Sequence, residues 1–268
     1  MNMDEENKVE AWMFRVRGEF TSLLIGLITI FVIAISLIIL GQLFFSALQV
    51  VLLLGSFLTV YIFIKLVQAQ YLGNSIRVHD EQFPEIFEIF KKQAVRLNSP
   101  RVALYIEQDP QLKASTIGIG NAAVVLSSGL VEALSPNELA FVIGHELAHF
   151  KAGHTKISSI FGSARGIPYG NFFLNFWGRN AEYSADRCGL ILTKDIDSAI
   201  TTMIKLAVGA KLFEELNLKG YIAQIKKSKN TSVKLSETMG THPFITNRII
   251  NLLKFWRTHF KGTNENAE

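Results

Sequence analysis

Between residues 20 and 64 the sequence contains no Asp, Glu, Lys, Arg or His. So long a stretch without charge has no water-facing side, which excludes an amphipathic surface helix. A bilayer-spanning helix needs about 20 apolar residues, so the stretch holds two, near 23–40 and 47–64, with Gly41-Gln42 as the turn between them. A cleavable secretory signal followed by a core helix fits less well. Such a signal has one shorter apolar region ending at small residues, whereas this run continues into a second span. Cysteine is nearly absent too. Cys188 alone cannot form an intramolecular disulfide, which fits a reducing compartment. With no second cysteine at metal-ligand spacing, it reads as a buried thiol. Also lacking is any recurrent cluster of basic and aromatic residues. The net charge is +4, but Lys and Arg are scattered, which speaks against a nucleic-acid partner. The one basic run, Lys226-Lys227-Ser228-Lys229, reads as a solvated loop, with contact to anionic lipid as the alternative.

What the chain does contain starts at the flanks of the apolar stretch. Lys8, Arg15 and Arg17 precede it, Lys65 and Arg77 follow it, and the connecting turn is uncharged. Under the positive-inside rule both flanks face the cytoplasm, even though Glu10 and Glu19 accompany the basic residues. The expected organisation is a polar segment over residues 1–19, a retained two-helix anchor over 20–67, a domain over 76–260 and a disordered tail over 261–268. The chain is then a multi-pass protein of the cell inner membrane with its domain in the cytoplasm.

Within that domain, His145-Glu146-Leu147-Ala148-His149 carries the clearest chemistry. Residues four apart share a helix face, so His145 and His149 can bring two imidazole nitrogens to one point, as a tetrahedral zinc site requires. Glu146 falls beside them as a general base for water. The helix is well specified. Ser135-Pro136-Asn137-Glu138 has the form of a capping box, Leu139, Val142, Ile143 and Leu147 form an apolar stripe, and Gly153 stops it. The bland alternative is a surface helix that carries these three residues by chance.

A catalytic zinc with two histidines needs a third protein ligand. His154, five residues past His149, is awkwardly spaced and suits a supporting role. Glu182 and Asp186 lie four apart on one predicted helix face. Glu182 can ligate while Asp186 accepts an imidazole N–H and fixes its tautomer. Without the two histidines, the default would be an exposed acidic helix paired with Arg179 and Arg187.

Three separated motifs, His145 to His149, Glu182 to Asp186, and Thr241-His242-Pro243 followed by Arg248, resemble metallopeptidase family forty-eight. That family includes the bacterial HtpX-like membrane proteases and the CAAX prenyl proteases. The resemblance covers about residues 76–253 and implies a gluzincin, with Glu182 as third zinc ligand, Glu146 as base and one zinc per chain. It further implies His242 and Arg248 near the oxyanion, and Asn121 and Ala122 in a segment that holds the substrate backbone. HtpX-like proteins carry further spans between the zinc helix and the glutamate. Here residues 157–178 include Arg165, Pro168 and several glycines, too broken for a spanning pair. Phe172, Phe173, Leu174, Phe176 and Trp177 would then form an amphipathic lid, dip into the membrane surface or pack in the core.

The remaining periodicities fill out an α+β, mainly α fold. A helix over 83–97 ends at Asn98-Ser99-Pro100, and strands are expected at 101–106 and 122–127 with an extended run between them. The 122–127 strand, with one edge open along the cleft, could take an extended peptide by strand addition or simply support the helix. A turn at Ser128-Gly129-Leu130, a helix over 196–216, a loop over 228–240 and a closing helix over 245–260 complete the chain. The expectation is a membrane-anchored zinc endopeptidase with the lipid bilayer and unfolded or membrane proteins as partners. The rival readings are a catalytically silent scaffold or sensor, against which the intact Glu146 argues, and a processing enzyme with one dedicated substrate.

Overall fold

A computed structural model describes residues 9–16, 18–42, 46–118, 120–161, 170–217, 220–221 and 243–261. The expectations for residues 1–8, for the 228–240 loop, for His242 and for the tail beyond Lys261 lie outside the described residues.

The uncharged stretch forms two long helices, α2 (Glu19–Gln42) and α3 (Ser46–Asn74), following a short α1 (Ala11–Phe14). Both are long and apolar enough to cross a membrane, and their side chains are almost wholly exposed. The first runs through Gly41 and Gln42, so the expected Gly-Gln turn is helix instead. The second continues ten residues past its expected end at 64, through Lys65, because nothing in 65–74 breaks a helix. The described residues of the polar segment, 9–16 and 18–19, include some that are tied to the domain. Val9 and Phe14 are buried in the domain core, and the Val9 N–H donates to the Arg96 carbonyl.

The domain joins a four-stranded sheet to a helical layer. β1 (Ile76–Val78), β2 (Val102–Glu107), β3 (Ala114–Ile117) and β4 (Ala122–Ser127) stand in the order β1-β2-β4-β3. β4 is parallel to β2 and antiparallel to β3. Every residue of β4 is buried, as its unbroken Ala-Ala-Val-Val-Leu run demands. This corrects the open-edge expectation: β4 is interior, and the edge belongs to β3. Ser128, Gly129 and Leu130 form no turn but open a helix, α5 (Ser128–Ala133), because the Ser127 hydroxyl caps it by accepting from the Leu130 N–H.

Around the sheet lie α4 (Pro84–Arg96), α6 (Pro136–Lys151), α7 (His154–Phe161), α8 (Gly170–Thr193), α9 (Ile196–Val208), α10 (Ala210–Glu214) and α11 (Ile245–Trp256), which runs into a π-helical turn at Arg257–Lys261. The helix expected over 196–216 is split in two. Gly209 at φ 88° and ψ 152° takes a conformation open to glycine, and the chain turns there. The expectations for 157–178 fall partly outside the described residues, which omit 162–169. The described parts of that segment are α7 and the first turns of α8, where Leu174 and Trp177 are buried in the domain and Phe176 is half exposed.

Candidate metal centre

α6 is held at both ends by the devices expected of it. The Glu138 carboxylate returns to accept from the Ser135 N–H at 2.7 Å, Pro136 takes the first helical position, and Gly153 at φ 81° ends the helix. The helix lies deep in the domain, packed against α4, α9 and above all α8. α6 and α8 run antiparallel, and two glycines set their separation. A Cβ on Gly189 would sit 2.8 Å from the Phe141 carbonyl oxygen, and one on Gly144 would sit 3.2 Å from the Gly189 Cα. This close approach puts His145 beside Asp186 and His149 beside Glu182.

Three side chains converge as a result. Nε2 of His145 and Nε2 of His149 are 3.1 Å apart, and each lies 3.6 Å from an oxygen of Glu182. Ligands about 2.0–2.1 Å from a tetrahedral ion are separated by roughly 3.3–3.4 Å, so the three donors fit one such ion. Two imidazole nitrogens and one carboxylate oxygen are the donor set of a hydrolytic zinc. Among the described residues this is the group of His and carboxylate side chains that meets at one point.

The far side of each ring is also bonded. His145 Nδ1 lies 2.9 Å from Asp186 Oδ1. Asp186 in turn accepts from Arg248 Nε at 2.8 Å and from an Arg248 Nη at 2.6 Å, the other Nη of Arg248 lying 3.5 Å from Glu182. The arginine expected near the oxyanion therefore spends two of its three nitrogens on Asp186, although it does line the cleft. His149 Nδ1 meets His154 Nδ1 at 3.1 Å, so His154 stands behind the ring and not at the point where the three donors meet.

Burial and pairing set the charges. Burial disfavours the His145 cation, but the bond and charge of Asp186 and the charge of Glu182 more than offset it, so its pKa is raised. Burial carries His149 well below the usual histidine value, and the Glu182 charge offsets only part of this. Burial would raise Asp186, yet the charge and hydrogen bonds of Arg248, with the bond to His145, hold it below the usual carboxylate range. Arg248, although buried, is kept firmly cationic by Asp186 and the two glutamates. Burial raises Glu146, which suits a group that must accept a proton.

Glu146 points into a cleft of about 570 Å³ bounded by α6, Glu182, Arg248 and residues 112–116. Thr116 of β3 donates to its carboxylate at 2.7 Å. The cleft thus runs along the edge strand β3. Neither Asn121 nor Ala122 lines it: Asn121 is exposed at a turn, and Ala122 is buried in β4, paired with Val102. Two contacts escaped the sequence reading. Thr116 sits in an unremarkable strand, and only the sheet order gives it away. Glu19 looked like one flanking charge among several. Its distinguishing mark was its place, the last charged residue before an uncharged run, where an acid must find a partner.

The model of peptidase family M48 matches residues 80–167 and 162–255 of the chain. A plastoglobule-localized metallopeptidase 48 of the chloroplast of Arabidopsis thaliana is 27% identical over 176 residues, 60% of this chain and 51% of that protein. A protease HtpX homolog of Streptococcus pyogenes serotype M5 is 34% identical over 91 residues, 33% of this chain and 30% of that protein. The matched segments thus span about half of the first relative and under a third of the second.

Proposed function

The chain belongs to peptidase family M48, and from that premise we propose that it is a membrane-anchored zinc endopeptidase that hydrolyses peptide bonds of unfolded or membrane proteins. The observation that carries the reading is the convergence of His145, His149 and Glu182 within bonding distance of one point, beside a buried carboxylate. These three side chains would hold the zinc. When bound it supplies Lewis acidity, lowering the pKa of water and polarising the scissile carbonyl.

The rest of the work falls to the chain. Glu146, with its pKa raised, takes a proton from the attacking water as the water oxygen bonds to the carbonyl carbon, and delivers it to the nitrogen as the C–N bond breaks. Thr116 fixes the carboxylate in place. Asp186 accepts the His145 Nδ1–H, which leaves Nε2 free to ligate. Arg248 neutralises Asp186 and faces Glu182, and His242, which lies outside the described residues, is assigned as a further oxyanion donor from the family resemblance alone. An extended substrate adds to the open edge of β3, backbone to backbone, which selects for unfolded chain over any one sequence. With α2 and α3 as a hairpin across the cell inner membrane and basic residues on both flanks, the cleft faces the cytoplasm. Quality control and processing of membrane proteins both fit such a placement.

The test is cleavage of an unfolded model protein by the detergent-purified full chain, beside Glu146→Gln and Glu182→Ala, with zinc content measured on all three. Glu146→Gln should retain zinc and lose turnover by about 10²–10⁴-fold. Glu182→Ala should lose both. Full zinc occupancy in Glu182→Ala would overturn the ligand set. Equal cleavage by Glu146→Gln and wild type would overturn the base.

A further inference from the structure

His145 and His149 enter the metal centre as equals in the motif, yet they are backed differently. Behind His145 stands a carboxylate, Asp186, from the same pair of helices. Behind His149 stands a second imidazole, His154, whose Nε2 lies 2.8 Å from Oε1 of Glu19. Both members of that outer pair are buried, with His154 at 2% and Glu19 at 4% exposure. Glu19 is the first residue of α2, the helix that we read as entering the membrane.

Proton counting along this line allows one arrangement. If His149 ligates through Nε2, its remaining proton is on Nδ1, which must donate. The atom 3.1 Å away is His154 Nδ1, which must therefore be bare and accept. His154 then carries its proton on Nε2 and donates it to the Glu19 carboxylate. The result is a three-member line, His149 to His154 to Glu19, with each ring held in one tautomer by the next. We propose that His154 and Glu19 are the positioning residues of His149, so that the head of the first membrane helix holds a metal ligand in place. The inference rests on the assignment of His149 as a ligand.

The surroundings of Glu19 are built for the role. Its other oxygen accepts from the Ser184 hydroxyl, two residues past Glu182 on α8. The Val16 N–H donates to the same hydroxyl at 3.1 Å, and Arg15 lies 3.4 Å from Glu19 while donating to the Ala152 carbonyl at the end of α6. The Trp177 ring closes over His154 edge-on, at 5.8 Å between centroids. Nothing in the hydrolytic chemistry itself uses this cluster. A buried carboxylate held by His154 of α7, Ser184 of α8 and Arg15 of the lead into α2 is more than a tether requires. It also follows that a fragment starting after the hairpin lacks half of the support for His149.

The experiment uses the full chain in detergent: wild type, His154→Phe, His154→Asn and Glu19→Gln. Zinc affinity is read by competition with a chromophoric chelator, kcat and KM on an unfolded substrate, and the unfolding midpoint on the metal-free forms. His154→Phe fills the space without an acceptor, and should weaken zinc binding by about 10–100-fold, the usual effect of losing such a partner. His154→Asn places an amide oxygen where Nδ1 was and should recover most of that loss. Glu19→Gln keeps an acceptor without the charge and should fall between them. In zinc-saturated enzyme the loss should appear in kcat, with KM little changed.

Wild-type zinc affinity in folded His154→Phe would overturn the proposal. So would equal losses in His154→Phe and His154→Asn that track an equal drop in unfolding midpoint, since that is the mark of a merely structural pair. Absence of zinc from the wild type itself would instead bring down the metal reading, and this inference with it.

Discussion

The hairpin and the metal centre invert each other. In α2 and α3 the most apolar residues of the chain are the most exposed: Leu40 at 72%, Leu37 at 67% and Leu54 at 64%. In α6 and α8 the ionisable residues are the hidden ones, with His145 at 8%, Glu146 at 7% and Asp186 at 1%. Each is costly in a protein surrounded by water, the first through apolar area left wet and the second through charge taken out of solvent. They differ in how the cost is met. The buried charges answer one another within the fold, through Asp186 with Arg248 and His145, and Glu19 with His154. The exposed leucines have no counterpart among the described residues that could cover them, so their partner is lipid on our reading.

The largest effect should come from exchanging the two rules in the hairpin. Ile33→Arg and Leu54→Arg each put a charge near the middle of a span, at a cost of about 2.5–3.5 kcal/mol for insertion. The double variant should leave the carbonate-resistant membrane fraction and be degraded or recovered as soluble aggregate. If the helices instead lie in water, arginine at so exposed a site changes stability by no more than about 0.5 kcal/mol. A double variant recovered soluble, monodisperse and as stable as wild type would therefore break the comparison.

The buried side is tested at the helix crossing. Gly189→Ala inserts a methyl group 2.8 Å from the Phe141 carbonyl, a backbone atom that cannot swing aside. α8 must shift, at about 1–3 kcal/mol for an overpacked core. Because Glu182 lies two turns away on that helix, zinc affinity should fall along with the unfolding midpoint. A normal midpoint with normal zinc affinity would show that the crossing does not set the ligand geometry.

The two regions were not equally legible. A bilayer-length run without charge can be counted off the sequence; the misplaced features were the turn, because Gly41 and Gln42 continue the first helix, and the end of the second helix, which runs on through Lys65. The motif helix was legible for a related reason: a capping box, an i,i+4 histidine pair and a stopping glycine are all local. What the sequence hid depends on contacts between distant segments. That β3 and not β4 forms the open edge is a matter of strand order, which neither strand encodes alone. That Glu19 reaches His154, and that Arg248 clamps Asp186, depends on helix packing, for which sequence spacing offers no rule.

The smallest expected effect supplies the reference for the others. Asp195 caps α9 from the surface, accepting from the Ser198 N–H at 2.9 Å and the Ser198 hydroxyl at 2.6 Å. These bonds, Ser198's hydroxyl first, hold its carboxyl below the usual carboxylate value. A carboxylate with a depressed folded-state pKa contributes stability that is fully present above its unfolded pKa and lost as pH falls through the folded value. Asp195→Ala should therefore lower stability by about 1 kcal/mol at neutral pH, the ordinary cost of an N-cap. The deficit should begin to shrink as pH falls below about 4, the unfolded value, and be lost below the depressed folded value, where the wild-type cap is itself protonated. Here a polar group keeps its water and is worth what such groups are usually worth. A loss at Asp195 as large as that at Gly189 would mean that the whole domain is only marginally stable. The comparison between hairpin and metal centre would then reduce to a difference in how readily any part of the fold is lost.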